Sequence, residues 1–466
     1  MNFNKKLVVA VSGAVLLMAG QFALADSTTD IVDALVGKGV LTEEEGKLIT
    51  KGHTSAKNKA GKVIDKNGAL SLSSENGDST FAVNGRIQLD ARSYDNDFSS
   101  DKNTQGFDVR RAYLGVNGKI AKYYDYRVVA NFADDDKTNT SGTGLVKKSN
   151  QIDEAYFGIN YWKQASFRFG QQKMPFSLEE QTSSRFIDFQ ERSLLNKMVP
   201  AKEIGVQVHG VFTNGLFYGA AISSGEGKSN IEASTGEGVD FIGRVGINFA
   251  EAMGNKDNVY HLAIAGSTTD GMQSNGQELA FNSGQELAFN SESRGQDNKG
   301  TRFRSERSRL GVEGSVALGP FKLQSEWIEN SFKMPVGATN NSADMDGYYV
   351  SANYMITGEK YASAYKAGKY DRISPLKDFN PEGDGWGALE VGARFTSVDG
   401  KDLYNLSTSA LATGYYAADS TTLGLKWIPT PYTRILLNYV DTRWEAATGG
   451  TKLDEKALTL RTQLDF

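Results

Sequence analysis

The chain has no cysteine in 466 residues. That excludes a disulfide-stapled secreted domain and any thiolate metal centre. Proline is scarce at 8 residues, and the 3 histidines, His53, His209 and His261, are too scattered for a metal motif. A lone histidine on a strand is usually an ordinary wall residue. A helical membrane span needs about 20 consecutive apolar residues, and only the first stretch of the chain comes near that. Basic residues number 51 against 56 acidic ones. With no basic excess there is no electrostatic footprint for nucleic acid. No glycine-rich loop follows a strand and opens a helix, so a phosphate-cradling nucleotide site is excluded too. The acidic tips Asp134-Asp135-Asp136 and "DMDG" at 344–347 are of the kind that stays solvated. No catalytic residue, metal site or cofactor is expected.

What is present begins with "MNFNKKLVVAVSGAVLLMAGQFALADS". Lys5 and Lys6 precede an apolar core from Leu7 to Met18, and Ala23-Leu24-Ala25 is a small-x-small cleavage pattern. The spacing predicts a signal peptide over 1–25 and export of a chain starting at Asp26. That chain keeps 49 basic and 56 acidic residues, a net charge of −7. Residues 26–57 have helical spacing (Ile31, Ala34, Leu35, then Leu41, Leu48, Ile49) broken at Gly39, with Thr42 and Glu45 as a capping box. They predict a short helical segment on the periplasmic side, followed by a polar, glycine-rich linker over 58–78.

From 79 onward the period is two. In "STFAVNGRIQLDARSY", Phe81, Val83, Ile87, Leu89 and Ala91 share one face, and Asn84, Arg86, Gln88, Asp90 and Arg92 share the other. "DFIGRVGINF" and "GALEVGARFTSV" repeat the arrangement. About sixteen such segments start near 80, 108, 123, 151, 164, 203, 215, 238, 258, 304, 319, 346, 385, 419, 431 and 455. Several reach ten residues, the length of a tilted strand crossing a bilayer. Tyr123, Tyr124, Tyr161, Trp162, Trp427, Tyr432 and Trp444 gather near their ends, as aromatic girdles would.

The last segment, "EKALTLRTQLDF", sets Leu458, Leu460, Leu464 and Phe466 against Thr459, Arg461, Gln463 and Asp465. In lipid every backbone group must be paired, so a sheet crossing a membrane closes on itself. The expectation is an all-β, closed antiparallel transmembrane β-barrel over 79–466, with the last strand pairing the first. Short connections (213–215, 318–320, 430–432) are expected on one side. Long ones (174–203, 266–303, 331–345, 357–384, 397–418) are expected on the other. "GQELAFNS" occurs twice in tandem, at 276–283 and 284–291, a duplication suited to an exposed loop.

The ordered motifs "FAVNGRIQLDA", "FDVRRAYLGVNGKI", "QIDEAYFGINYW", "FRFGQQKMPFSLEEQTSSRF" and "FQERSL" resemble the first half of the phosphate-selective porin O/P family. "GALEVGARFTSVD" and "TLGLKWIPTPYTRILLNYV" resemble its second half. The resemblance spans roughly 80–466. It implies a homotrimer of sixteen-stranded barrels in the Gram-negative outer membrane, among lipid and lipopolysaccharide, and a C-terminal aromatic residue read by the insertion machinery. It also implies an inward loop over 174–203 and pore arginines at Arg86, Arg110, Arg111 and Arg192. Arg185 stands where the family has a lysine, and Asp153 matches an acid near the constriction. Arg302, Arg304, Arg307 and Arg309 answer to the fifth-loop arginines. The chain departs from the family at Glu180 and Asp125, both at family lysine positions, with Arg127 close to the second.

Replacing lysine by glutamate changes local charge by two units, each worth roughly 2 kcal/mol at ~8 Å and a dielectric of ~20 before screening. The expected function is therefore a passive channel for small hydrophilic solutes and ions, with at most a mild anion preference. The alternatives are a high-affinity phosphate or oxyanion channel and a structural or adhesive barrel. The adjacent Arg110 and Arg111 can both face the lumen only where a bulge or a strand end intervenes.

Overall fold

The computed structural model describes residues 27–50, 62–66, 69–96, 103–133, 137–138, 145–146, 152–225, 239–274, 303–336, 339–402, 415–446 and 452–466. The sequence features at 1–25, the duplicated octapeptide, His53, Asp134 to Asp136 and Arg302 lie outside the described residues. Two compact units are present: residues up to 64 with 71–81, and 65–70 with 82–466.

In the first unit, helix α1 (Ser27–Gly37) ends before Gly39, whose φ of +70° suits glycine. A second helix runs over 43–50. Thr42 caps it: Glu45 N donates to Thr42 Oγ1 at 3.2 Å, and Thr42 N donates back to Glu45 Oε2 at 2.9 Å. The two helices meet closely at Gly46, where an added Cβ would lie 2.6 Å from Val36 Cγ2. Val32 is buried there, and Ile31, Leu48 and Ile49 stay exposed.

The second unit is a closed antiparallel barrel of sixteen strands. They are β1 (Thr80–Asn96), β2 (Asn103–Ile120), β3 (Tyr124–Asn131), β4 (Ile152–Trp162), β5 (Ala165–Lys173), β6 (Lys202–Val211), β7 (Leu216–Ser223) and β8 (Asp240–Asn248). Then follow β9 (Asn258–Ser274), β10 (Phe303–Leu318), β11 (Phe321–Val336), β12 (Thr339–Met355), β13 (Ala388–Asp399), β14 (Tyr415–Thr430), β15 (Thr433–Ala446) and β16 (Lys452–Asp465). Neighbours in sequence are neighbours in the sheet.

The sheet closes between β16 and β1, with Leu464 opposite Ile87, Leu460 opposite Ala91 and Arg461 opposite Asp90. Leu458 is 53% exposed and Arg461 1%. The greasy face of the last strand therefore points out and the polar face points in. Phe466 completes the seam. Gly85 N donates to its carbonyl at 2.8 Å and Phe466 N donates to Gly85 O at 3.1 Å.

Strand parity corrects the expected division of connections. The stretch between β12 and β13, residues 356–387, lies on the side of the termini, with the short turns. It is long because it turns inward: Tyr361, Ala364, Tyr370 and Ile373 are buried. The expected long loop at 331–345 is strand up to Val336 and again from Thr339. Trp444 is no girdle residue either. It is fully buried in an apolar cluster with Leu195, Met198 and Phe332. Tyr123, Tyr124, Tyr161 and Trp162 do cluster at the termini side, with Tyr123 stacked on Tyr161 at 4.5 Å.

Candidate functional site

The connection 174–201 between β5 and β6 crosses the barrel interior, and its sequence explains how. Met174, Phe176, Leu178, Leu194, Leu195 and Met198 are buried, an apolar side for docking. Ser177 starts a single helical turn, Leu178–Gln181, by accepting from Glu180 N at 3.1 Å. The exposed amides of that turn need acceptors. Glu326 on β11 supplies them, accepting from Leu178 N at 3.1 Å and Glu179 N at 2.7 Å. The loop thus leaves β5 and is anchored on a strand far round the barrel.

The rest of its anchors are ionic. Lys322 on β11 donates to both oxygens of Asp188 at 2.7 Å. Arg394 on β13 donates to Glu179 Oε1 and to Glu191 O, both at 3.1 Å. Arg461 on β16 reaches Asp90 Oδ1 at 2.7 Å, Asp90 Oδ2 at 2.8 Å and Glu191 Oε1 at 2.6 Å, and also bonds Gln190 O. Arg110 meets the same Glu191 oxygen at 3.0 Å, and Arg111 lies 3.6 Å from it. Both adjacent arginines are buried on the side of Glu191, although 110–111 lie within β2 and its pairing with β3 stops at Tyr113 opposite Asn131.

The sequence-derived residues fall into two groups. Glu180 and Asp153 are buried and satisfied. Glu180 pairs with Arg192 at 3.2 Å and Lys173 at 3.4 Å, and accepts from Asn196 at 3.2 Å. Asp153 bonds Lys202 and accepts from Tyr113 Oη at 3.4 Å. Arg192 also donates to Glu179 O at 3.0 Å and Thr182 O at 2.8 Å, tying off the loop's helical turn. Arg127 bonds Glu154.

Arg86 and Arg185 differ. Arg86 donates to Ser184 Oγ at 2.8 Å and lies 4.4 Å over the Tyr113 ring. Arg185 donates to Asn84 Oδ1 at 3.2 Å. Among the described residues neither is bonded to a carboxylate. Sequence reasoning named both but missed Arg394, Asp188, Lys322 and Arg461. The inward phase of Arg394, Lys322 and Arg461 was readable from their strands; Asp188 lies in the loop and has no such phase, and the partners were not readable for any of the four. Arg307 and Arg309 reach Asp240 at 3.5 and 2.9 Å. His261 is held between Tyr365 Oη at 2.7 Å and Glu313 at 2.9 Å.

Glu180 and Glu191 of the loop titrate low. Burial works to raise Glu191, but Arg110, Arg461 and Arg111 outweigh it and hold it well below the ordinary carboxylate range. Burial likewise opposes, and Arg192 and Lys173 overcome, the ionisation of Glu180. A depressed folded value means the stabilisation is present above the unfolded value of 4.5 and is lost only as pH falls below it, through the folded value. Loss of the Glu180 and Glu191 ion pairs is therefore expected only below about pH 4.5, so release of the loop by this route needs acid. A pH series on one membrane preparation checks this.

Glu180→Lys would set a third cation beside Arg192 and Lys173 in a buried space. It is expected to lower loop stability by about 3 kcal/mol rather than create an anion ligand. Thermal melting of the Glu180→Lys and Glu180→Gln proteins compares the two effects.

A closed barrel of sixteen strands, greasy outside and charged inside, with a chain segment folded across its lumen, is the architecture of outer-membrane porins. Residues 81–466 match the family model for phosphate-selective porin O and P, and the chain belongs to that family, whose place is the Gram-negative outer membrane. It is 24% identical to porin O of Pseudomonas aeruginosa over 418 residues, 84% of this chain and 90% of that one. Among solved structures it is similar to the outer membrane channel DcaP of Acinetobacter baumannii (TM-score 0.51, 11% identity, 83% of this chain and 97% of that one). An anion-selective porin from Comamonas acidovorans aligns with TM-score 0.48 and 13% identity over 83% of this chain and all of that one.

Proposed function

We propose that the chain forms a passive, water-filled outer-membrane channel for small hydrophilic solutes and ions, with a mild anion preference, working as a homotrimer among lipid and lipopolysaccharide. The observation that carries this reading is the charge balance on the inner loop and wall. Glu180 and Glu191 are each bonded to two or more cations. Arg86 and Arg185, by contrast, bind only neutral groups among the described residues. Selectivity follows charge at the narrow part of a pore; with Glu180 and Glu191 paired, the half-buried Arg185 is the loop cation that would favour anions. The reading is of a channel and not an enzyme, and the family match supports it. Residues 1–25 would direct export, and 26–57 would lie on the periplasmic side.

The testing measurement is the reversal potential of a reconstituted trimer in a salt gradient. Anion preference is expected, and it should shrink when Arg185 is replaced by glutamine. A cation-selective potential would overturn the assignment. A second reading, a high-affinity oxyanion channel, gains from one observation. Glu180 is neutralised inside the loop and would not repel phosphate. Phosphate block of chloride current at micromolar concentration would select that reading, and no block at millimolar would dismiss it.

A further inference from the structure

The inward loop does not occupy the lumen alone. From the side of the termini, residues 361–373 fold up to meet it, and Leu178 of the loop shares one apolar cluster with Tyr361, Ala364, Tyr370 and Ile373. Most polar ties of this floor go one way, to the wall between β8 and β11. Tyr361 N donates to Gly319 O at 3.1 Å. Tyr370 Oη lies 2.8 Å from Ser315 Oγ, and Tyr365 Oη 2.7 Å from His261 Nδ1. Arg244 donates to Gly368 O at 2.8 Å.

Arg372 goes the other way. Its guanidinium bonds Asp465, the penultimate residue on β16, and Pro431 O in the turn between β14 and β15. The same group lies 5.1 Å from the centre of the Phe186 ring at the tip of the inward loop, and 5.7 Å from that of Tyr432. Arg434 on β15 covers Phe186 as well, at 4.8 Å. Phe186 is thus held by two guanidinium groups, beside Arg185 and Ser184, whose side chains reach Asn84 and Arg86.

We propose that Arg372 is a positioning residue for conduction. It pins the tip of the inward loop by bridging it to the barrel seam, and so fixes where the half-buried Arg185 stands. A planar fork can bond Asp465 and a carbonyl while its face packs on Phe186; a lysine ammonium cannot do all three. The proposal rests on the channel reading.

Its test separates pinning from simple charge. Arg372→Gln removes one positive charge and Asp465→Asn removes one negative charge, yet both break the bridge. Single-channel conductance of the reconstituted trimers is expected to rise roughly twofold in both, with Arg372→Lys behaving like Arg372→Gln. Reversal potentials should move in opposite directions as the charges change. The proposal is overturned if both conductances stay at the wild-type value. It is equally overturned if they move in opposite directions, or if Arg372→Lys conducts like the wild type while Arg372→Gln does not. A wild-type protein that passes no current would instead refute the channel reading itself. Asp465 lies next to the C-terminal residue, so should Asp465→Asn fail to assemble, Phe186→Ala tests the same contact from the loop side, with the same expected rise.

Discussion

Arg461→Leu is expected to loosen the inward loop on the seam side and to lower barrel stability by about 3–5 kcal/mol, the cost of stranding buried partners of an ion pair. The arginine is 1% exposed and serves three groups. It meets Asp90 with two nitrogens, Glu191 with one, and the backbone carbonyl of Gln190. Removing it leaves Asp90 with Arg92 alone, at 2.6 Å. Glu191 keeps Arg110 and Arg111, so the loop loses one of its ties to the seam but keeps those to β2 and the bonds of Arg185 and Ser184 to Gln463, Asn84 and Arg86. Leucine fills part of the space and cannot satisfy either carboxylate. Two measurements check the outcome. Heat-induced loss of the folded band should occur at lower temperature, and single-channel recordings should become noisier. Replacing Asp90 and Arg461 together by Asn and Leu should recover part of the loss, because no buried carboxylate at position 90 is then left with Arg92 as its one cation.

Gly85→Leu should impair closure of the barrel. An added Cβ at Gly85 would lie 2.3 Å from Phe466 Cζ, with two more ring atoms inside 3 Å. The ring cannot stay where it is once the side chain extends further. Its backbone is fixed in place by the reciprocal bonds between Gly85 and Phe466. The expected cost is about 1–3 kcal/mol of overpacking at the last pair of the seam. The yield of folded barrel should fall, while Gly85→Leu combined with Phe466→Ala should fold better than Gly85→Leu alone.

The alternation made the barrel legible. Phe81, Ile87 and Leu89 against Arg86, Gln88 and Asp90 fixed inside and outside for β1, and the same phase for β16 placed Arg461 inward. What the alternation lacks is the third dimension. Asp90 and Arg461 stand 371 residues apart, and only closure makes them opposite each other. Glu180 and Glu191 of the inward loop fasten it to lysine and arginine partners, pairings that alternation alone does not show. Trp444 was placed at the interface by residue type, whereas its phase on β15 puts it inside. The 356–387 connection was assigned to the far side by its length. Counting strands, not residues, gives the side, and its length reflects the folded floor that carries Arg372.

The most direct test of the whole account is current through the purified protein in a planar lipid bilayer. A closed sheet with ions inside and hydrocarbon outside should insert and conduct in discrete steps, in groups of three for a trimer. A protein that remains monomeric and soluble without detergent, and leaves the bilayer silent, would contradict it.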